Sequence, residues 1–98
     1  MPVISIARWN GGNRNAVLEI LKDVKPIHKK YGGDCRLEQI HTGLHAGQWV
    51  VSIRYPDWET HAKATVSLSN DTEHQKLREQ MTKISHMDDR VIHVELDP

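Results

Sequence analysis

The segment from Gln48 to Tyr55 alternates between two sets of side chains, and this alternation constrains the fold more than any other feature of the sequence. One set is large and apolar (Trp49, Val51, Ile53 and Tyr55), and the other is smaller or polar (Val50, Ser52 and Arg54). Because successive side chains of a β-strand point to opposite faces of a sheet, the pattern predicts a strand with one buried face. Pro56 stops this strand, and Asp57 is suited to cap the helix that follows.

Other short segments rich in β-branched residues predict three further strands, at Val3–Trp9, Asp34–His41 and Arg90–Leu96. A glycine-containing loop over residues 42–47 joins the second and third strands as a hairpin. With a helix after the first strand and another after the third, the element order is β-α-β-β-α-β. This order predicts one ferredoxin-like α+β domain over residues 1–98, in which two helices cover one face of a four-stranded antiparallel sheet.

The two helical segments carry recognisable end signals. Asn13 or Asn15 is suited to cap the first, and Pro26 inside it predicts a kink or a broken last turn. The second is interrupted near Asn70, which has capping-box spacing to Glu73, so a separate short helical piece is expected there.

The predicted sheet has two unlike faces. The side chains expected under the helices are Ile4, Ile6, Leu37, Trp49, Val51, Ile53, Ile92, Val94 and Leu96. The side chains expected on the other face are Val3, Ser5, Ala7, Trp9, Arg36, Glu38, Val50, Ser52, Arg54, His93 and Glu95. A face bare to solvent would not usually carry this mixture of apolar and charged groups. We therefore expect a second copy of the chain to cover it, with the contact centred on Val3, Ala7, Val50 and His93.

Composition excludes several kinds of partner. The chain has 13 basic and 13 acidic residues, and its net charge of +0 does not suit a polyanion. The RNA-recognition fold has the same element order, but its third strand needs several stacking aromatic rings, and this chain contains no Phe. No long apolar run or leader-like start is present, so neither a membrane span nor a signal peptide is expected. The single cysteine, Cys35, favours a reducing, cytoplasmic compartment.

Two segments carry a family resemblance. KYGGD at Lys30 to Asp34 joins a helix to a strand, and RYPDWETHAKA at Arg54 to Ala64 joins a strand to a helix. With them the whole chain resembles the dimeric α+β barrel superfamily, which includes the antibiotic-biosynthesis-type monooxygenases and the stress-responsive barrel proteins. The resemblance implies a homodimer whose two sheets face each other, with a pocket between sheet and helices in each subunit. Tyr55, Trp58 and His61 stand where that family has an aromatic strand end and a histidine near the start of the next helix.

The resemblance also implies a function. Some members oxidise aromatic substrates without metal or bound flavin, and haem-degrading relatives use an Asn, a Trp and a His, whose nearest counterparts here are Asn10, Trp58 and His61. We expect His61 to act as acid and base, because it shares a helical stripe with Trp58. The side chains expected to bind a small aromatic ligand are Trp58, Tyr55, Trp9, Asn10 and His74. The alternative is a non-catalytic module, in which the same residues shape a small-molecule pocket or an assembly surface.

No metal or cofactor is expected. His41 and His45 have a spacing that would suit zinc on a helix, but they flank a loop and lack a third ligand at a fixed spacing. Gly11-Gly12 precedes a helix without the rest of a phosphate-binding fingerprint. The histidines are therefore candidates for proton transfer or for packing.

Overall fold

The computed structural model describes residues 1–98, which form one sheet and three helices. The elements in chain order are β1 (Val3–Asn10), α1 (Arg14–Lys30), β2 (Asp34–Gln39), β3 (Trp49–Tyr55), α2 (Trp58–Ser69), α3 (Thr72–Ile84) and β4 (His86–Val94). The strands pair antiparallel in the order β2-β3-β1-β4. The predicted ferredoxin-like α+β fold is confirmed, with the second helical region divided into α2 and α3. β4 begins four residues earlier than predicted and ends at Val94 rather than Leu96.

The caps explain where the helices begin. Asn13 accepts a hydrogen bond from the backbone N–H of Ala16 at 2.9 Å, and Asp57 accepts one from Thr60 at 2.8 Å, as predicted. The predicted cap of α3 is wrong by one residue. Asp71 rather than Asn70 accepts from the N–H of His74 at 2.9 Å. Asp71 has the extended backbone that an N-cap requires, whereas Asn70 keeps a helical conformation and ends α2.

The end of α1 fixes the approach of β2 and β3. The N–H of Gly33 donates to the carbonyl of His28 at 2.8 Å, and Gly32 has a φ of 87°, so the helix ends as the two glycines predict. A Cβ on Gly33 would lie 3.0 Å from Cε1 of Tyr55, which shows how closely this ring packs on the glycine backbone. The expected break at Pro26 is wrong, because α1 runs through it to Lys30. Pro26 is exposed, so water can reach the carbonyl left without its usual donor.

The strand register corrects the predicted faces of β1. Val3 pairs with Tyr55, and Ala7 pairs with Val51. Directly paired residues of antiparallel strands share a face, so Val3, Ser5, Ala7 and Trp9 lie on the helix side. There Val3 is fully buried and Ala7 is 6% exposed. The sequence-based assignment was therefore wrong for this strand.

The same register places Ile4 and Ile6 on the open face, opposite Arg54 and Ser52 of β3. The assignments for β3, and for Leu37, Ile92 and Val94, agree with the register. Both alternating sets of β1 are apolar, so hydrophobicity alone does not choose between them.

The helices cover one face unevenly. α1 packs against β2 and α3, α3 reaches β4, and α2 joins β3 to α3. The packed core consists of Ala7, Trp9, Val17, Leu21, Cys35, Trp49, Val51 and Met81. The indole N–H of Trp49 donates to the carbonyl of Gly11 at 3.1 Å, which ties β3 to the loop before α1. None of the three helices combines the length and the apolar character that crossing a membrane requires.

Candidate active site

A cavity of about 610 Å³ lies between the sheet and all three helices. Its floor includes Ser5 and Ala7 of the central strand β1, and its α2 wall includes Thr65 and Ser69. These small side chains leave room that a Leu or Phe would fill. The volume lies within the ~300–1,000 Å³ that small-molecule sites usually occupy. The cavity is therefore the candidate site.

The cavity brings together four of the six predicted site residues. Trp9, Tyr55, His61 and His74 all line it. Trp58 lies outside the lining, but its ring meets that of His61 edge to face, with centroids 5.8 Å apart, and it is 52% exposed. Asn10 is exposed at the end of β1 and lies away from the cavity wall, and its backbone carbonyl accepts a hydrogen bond from the hydroxyl of Ser85 at 3.0 Å.

His61 lies where β3 passes into α2. Asp57 caps this helix, so His61 stands one turn after Trp58 on the same stripe. Its ring also meets that of Tyr55 edge to face, with centroids 5.2 Å apart. Burial raises the pKa of the Tyr55 phenol above its ordinary value, so this hydroxyl stays protonated at neutral pH. His61 thus combines access to the cavity with partial exposure to solvent.

A second imidazole pair, His28 and His74, lies in the same cavity. Their rings are 5.2 Å apart and nearly perpendicular, at 88°. His28 is 4% exposed, and its Nδ1 is buried without a hydrogen-bond partner. Burial lowers the pKa of His28 to about 4, helped by repulsion from His74 when that ring is protonated and from the charge of Arg90. Burial also lowers the pKa of His74, so both rings are neutral at neutral pH.

Two arginines complete the polar part of the wall. Arg78 projects from α3 and Arg90 from β4, and no acidic side chain lines the cavity. Burial, followed by the charge of Arg78, lowers the pKa of Arg90 from its ordinary value. An arginine side chain nevertheless stays positively charged at neutral pH. The cavity therefore presents two fixed cations, neutral imidazoles and a mostly apolar wall.

The sequence-based site omitted His28, Arg78 and Arg90, although two of them left a signal. His28 continues the three- and four-residue spacing of the apolar stripe of α1, so it had to face the core. Arg90 has the same parity as Ile92, whose side chain was correctly assigned to the helix side of the sheet. No comparable pattern pointed to Arg78.

The two loop histidines lie apart from the cavity. Nδ1 of His45 lies 3.0 Å from a guanidinium nitrogen of Arg8. Because a guanidinium group can only donate, Nδ1 of His45 accepts this hydrogen bond. His41 is exposed. Nowhere in the chain do three His, Cys, Asp or Glu side chains converge as metal ligands would.

Comparison with known proteins identifies relatives of the fold. No known family model and no curated protein matches the sequence. Among solved structures, SnoaB, a cofactor-independent oxygenase from Streptomyces nogalater, superposes with a TM-score of 0.72 at 9% identity, over 99% of this chain and 95% of that chain. An uncharacterised NIPSNAP domain protein from Burkholderia xenovorans gives 0.67 at 19% identity, over 98% of this chain and 95% of that chain.

A third structure is that of a putative antibiotic biosynthesis monooxygenase from Chloroflexus aurantiacus. It superposes with a TM-score of 0.65 at 13% identity, over 100% of this chain and 96% of that chain. The fold is therefore that of the monooxygenase-like and NIPSNAP proteins, as the resemblance to the dimeric α+β barrel superfamily implied. At these identities the similarity shows the fold alone.

Proposed function

We propose that the chain is an enzyme that oxidises a small aromatic molecule with dioxygen and without a bound cofactor. The observation that carries the proposal is the cavity of about 610 Å³, whose mostly apolar wall holds three imidazoles beside Tyr55. An apolar wall accepts an aromatic ring, and a neutral imidazole accepts a proton. The similarity in fold to a cofactor-independent oxygenase supports this chemistry.

The histidines have different parts in this proposal. His28, with its pKa lowered to about 4, is too weak a base to hold a proton at neutral pH. Its Nε2, which forms no hydrogen bond within the chain, is suited to accept one from a substrate hydroxyl. His61 is less buried and can pass a proton onward to water, so it is the proposed general base. Tyr55 and Trp9 form walls for the substrate ring.

The reaction can be written for an activated methylene flanked by aromatic rings. His61 takes one proton, and the resulting carbanion gives one electron to dioxygen. The carbon radical and superoxide combine into a peroxide, which takes the proton back from His61. Loss of the second C–H proton with cleavage of the O–O bond leaves a ketone and releases water. The CH₂ group and O₂ thus become C=O and H₂O.

Anthrone, which has such a methylene, is a suitable test substrate. Oxygen uptake and anthraquinone absorbance should both exceed the rate in protein-free buffer. His61→Gln should lower the rate by about 10²- to 10⁴-fold if it removes the general base. His41→Gln, on an exposed loop residue, is the matched control and should keep the parent rate. No acceleration by the parent protein, or full activity in His61→Gln, would overturn the proposal. Binding of anthrone without turnover would favour the non-catalytic binding module.

We also propose that the chain works as a homodimer formed through the open face of the sheet. Ile4, Ile6 and Val50 are only half-buried there, and Val91 is 45% exposed. His93 lies on the same face, opposite Ile4. The observed register puts Ile4, Ile6 and Arg8 on this face in place of Val3, Ser5, Ala7 and Trp9, so its apolar stripe is centred on Ile4 and Ile6. An apolar stripe of this kind is a typical association surface.

A further inference from the structure

The charge of the cavity wall differs from that of the whole chain. The chain has 13 basic and 13 acidic residues, so its net charge is +0. The wall contains Arg78 and Arg90, but neither an aspartate nor a glutamate. Two fixed positive charges therefore face a space that only solvent or a ligand can neutralise.

Of the four other arginines, three form ion pairs, and the fourth, Arg14, is exposed at the start of α1. Arg8 pairs with Asp88 at 3.2 Å, and Arg54 pairs with Glu95 at 2.9 Å, both on the open face of the sheet. Arg36 pairs with Asp34 at 3.2 Å. Arg78 and Arg90 form neither an ion pair nor a side-chain hydrogen bond within the chain. The two arginines that face the cavity are thus left with their donor groups available.

The apolar surroundings should strengthen the binding of an anion by these two arginines. Much of the cavity wall is apolar, with Ile20, Val24 and Leu68 among its residues. Arg78 and Arg90 keep contact with solvent. An anion seated against the apolar wall would still lose part of its own water and would gain more from these two charges than it would at an open surface. Guanidinium groups also match the two oxygens of a carboxylate, which they can bind through paired hydrogen bonds.

The neutral imidazoles divide the cavity into two kinds of polar site. His28 is more than nine-tenths buried, and its Nδ1 is enclosed by protein, so Nε2 is the ring nitrogen that a ligand in the cavity can reach beside His74. A neutral imidazole nitrogen without a proton accepts a hydrogen bond, whereas a guanidinium group only donates. A ligand that carries both a free hydroxyl and an ionised oxygen group would therefore satisfy both sites.

We propose that the cavity selects aromatic molecules that carry a carboxylate or another ionised oxygen group, which binds between Arg78 and Arg90, while a hydroxyl of the ligand donates to the His28–His74 pair. The proposal rests on the proposed function in taking this cavity as the substrate site, and it names the class of substrate.

The test compares 6-hydroxy-2-naphthoate, whose hydroxyl is too far from the carboxylate to bond to it, with its methyl ester, which keeps the ring and the hydroxyl but lacks the charge. Isothermal titration calorimetry under nitrogen measures binding without turnover. The carboxylate should bind the parent protein about 10- to 100-fold more tightly than the ester, since its hydrogen bonds are charge-assisted. Added salt should weaken the carboxylate more than the ester.

Variants locate the effect. Arg90→Met and Arg78→Met should each remove most of the preference, and Arg90→Lys should retain part of it because the charge remains. Arg36→Met, on an arginine outside the cavity, is the matched control and should keep the parent preference.

Several results would overturn the inference: equal affinity for acid and ester, an unchanged preference in both methionine variants, or no binding of either compound. The outcome is separable from that of the proposed function. If anthrone is oxidised but the carboxylate binds no more tightly than its ester, only this inference is contradicted. If the carboxylate binds more tightly than the ester but anthrone is not oxidised, only the proposed chemistry is contradicted, and the cavity is an anion-binding pocket.

Discussion

Acidification should destabilise the folded chain, most strongly through the imidazole of His28 and to a smaller extent through that of His74, whose pKa is also lowered by burial. The pKa of His28 in the folded state is lowered from 6.5 to about 4, first by burial and then by repulsion from His74 when that ring is protonated and from the charge of Arg90. In the unfolded chain the same ring titrates near its ordinary pKa of about 6.5. Between these values the unfolded state binds a proton that the folded state does not. The stabilisation is therefore fully present above about pH 6.5 and is lost as the pH falls toward 4.

The size of this effect follows from the two pKa values. One pKa unit corresponds to about 1.4 kcal/mol, so complete titration of the unfolded ring costs the folded state about 3 kcal/mol. At pH 4.5 roughly 2 to 2.5 kcal/mol of that is already lost relative to pH 7. No large reduction for solvent screening applies, because His28 is only 4% exposed. Asp71 contributes little in this window, because its carboxyl is largely ionised in both states above pH 4.5: its pKa is about 3.9 in the unfolded chain and is lowered to about 2 in the folded chain, first by the hydrogen bond from Tyr31.

Guanidinium unfolding followed by tryptophan fluorescence at several pH values between 7 and 4.5 measures this loss. Protein concentration must be held constant, because association would change the apparent stability. His28→Gln cannot titrate and should lose about 2 kcal/mol less than the parent over this range. His41→Gln replaces a loop histidine that is exposed to solvent and should follow the parent. Equal losses in the parent and in His28→Gln would show that His28 is not held neutral by burial, and the reasoning would fail.

Three further predictions concern other parts of the molecule. Val50→Asp should convert a dimer of twice the 11.3 kDa chain mass into a monomer in light scattering. Val66→Asp, on the outer surface of α2, is the control and should leave the dimer intact. A monomeric parent would contradict the proposed dimer. Gly33→Ala should lower the free energy of unfolding by about 1–3 kcal/mol, because the new Cβ would lie 2.6 Å from a methyl group of Ile53. An unchanged unfolding midpoint would show that Ile53 can move aside, and would contradict this prediction. Burial raises the pKa of the Cys35 thiol to about 11. A disulfide reagent at pH 8 should therefore label the native chain on the order of 100-fold more slowly than the unfolded chain. Rapid labelling of the native chain would contradict this burial.

The fold was predictable because its strongest signals are local. The alternation in β3, the caps at Asn13 and Asp57 and the glycines after α1 each depend on a few neighbouring residues. The faces of β1 were not predictable in this way. Val3 and Ile4 are equally suited to a core, and only pairing with β3, about 50 residues away, decides which of them is buried.

The candidate site was partly predictable for a related reason. Tyr55 and His61 lie close together in sequence across a strand–helix junction, so a local pattern could relate them. His28 and His74 are 46 positions apart, and only the packing of α1 against α3 brings their rings together. Their shared burial then lowers both pKa values, which no property of either segment alone determines.

The charge of the cavity has its origin in the strand geometry of β4. Asp89 and Arg90 are adjacent, so their charges cancel in any sum over the sequence. As neighbours on a strand they point to opposite faces: Asp89 meets Arg8 at 3.1 Å on the open side, and Arg90 faces the cavity opposite Ala7. The irregularity in pairing after Arg8 lets Asp88 reach the same guanidinium group at 3.2 Å. A shift of β4 by one residue would turn Asp89 into the cavity and Arg90 out of it. The register that neutralises Arg8 on one face is therefore what leaves an unneutralised cation on the other.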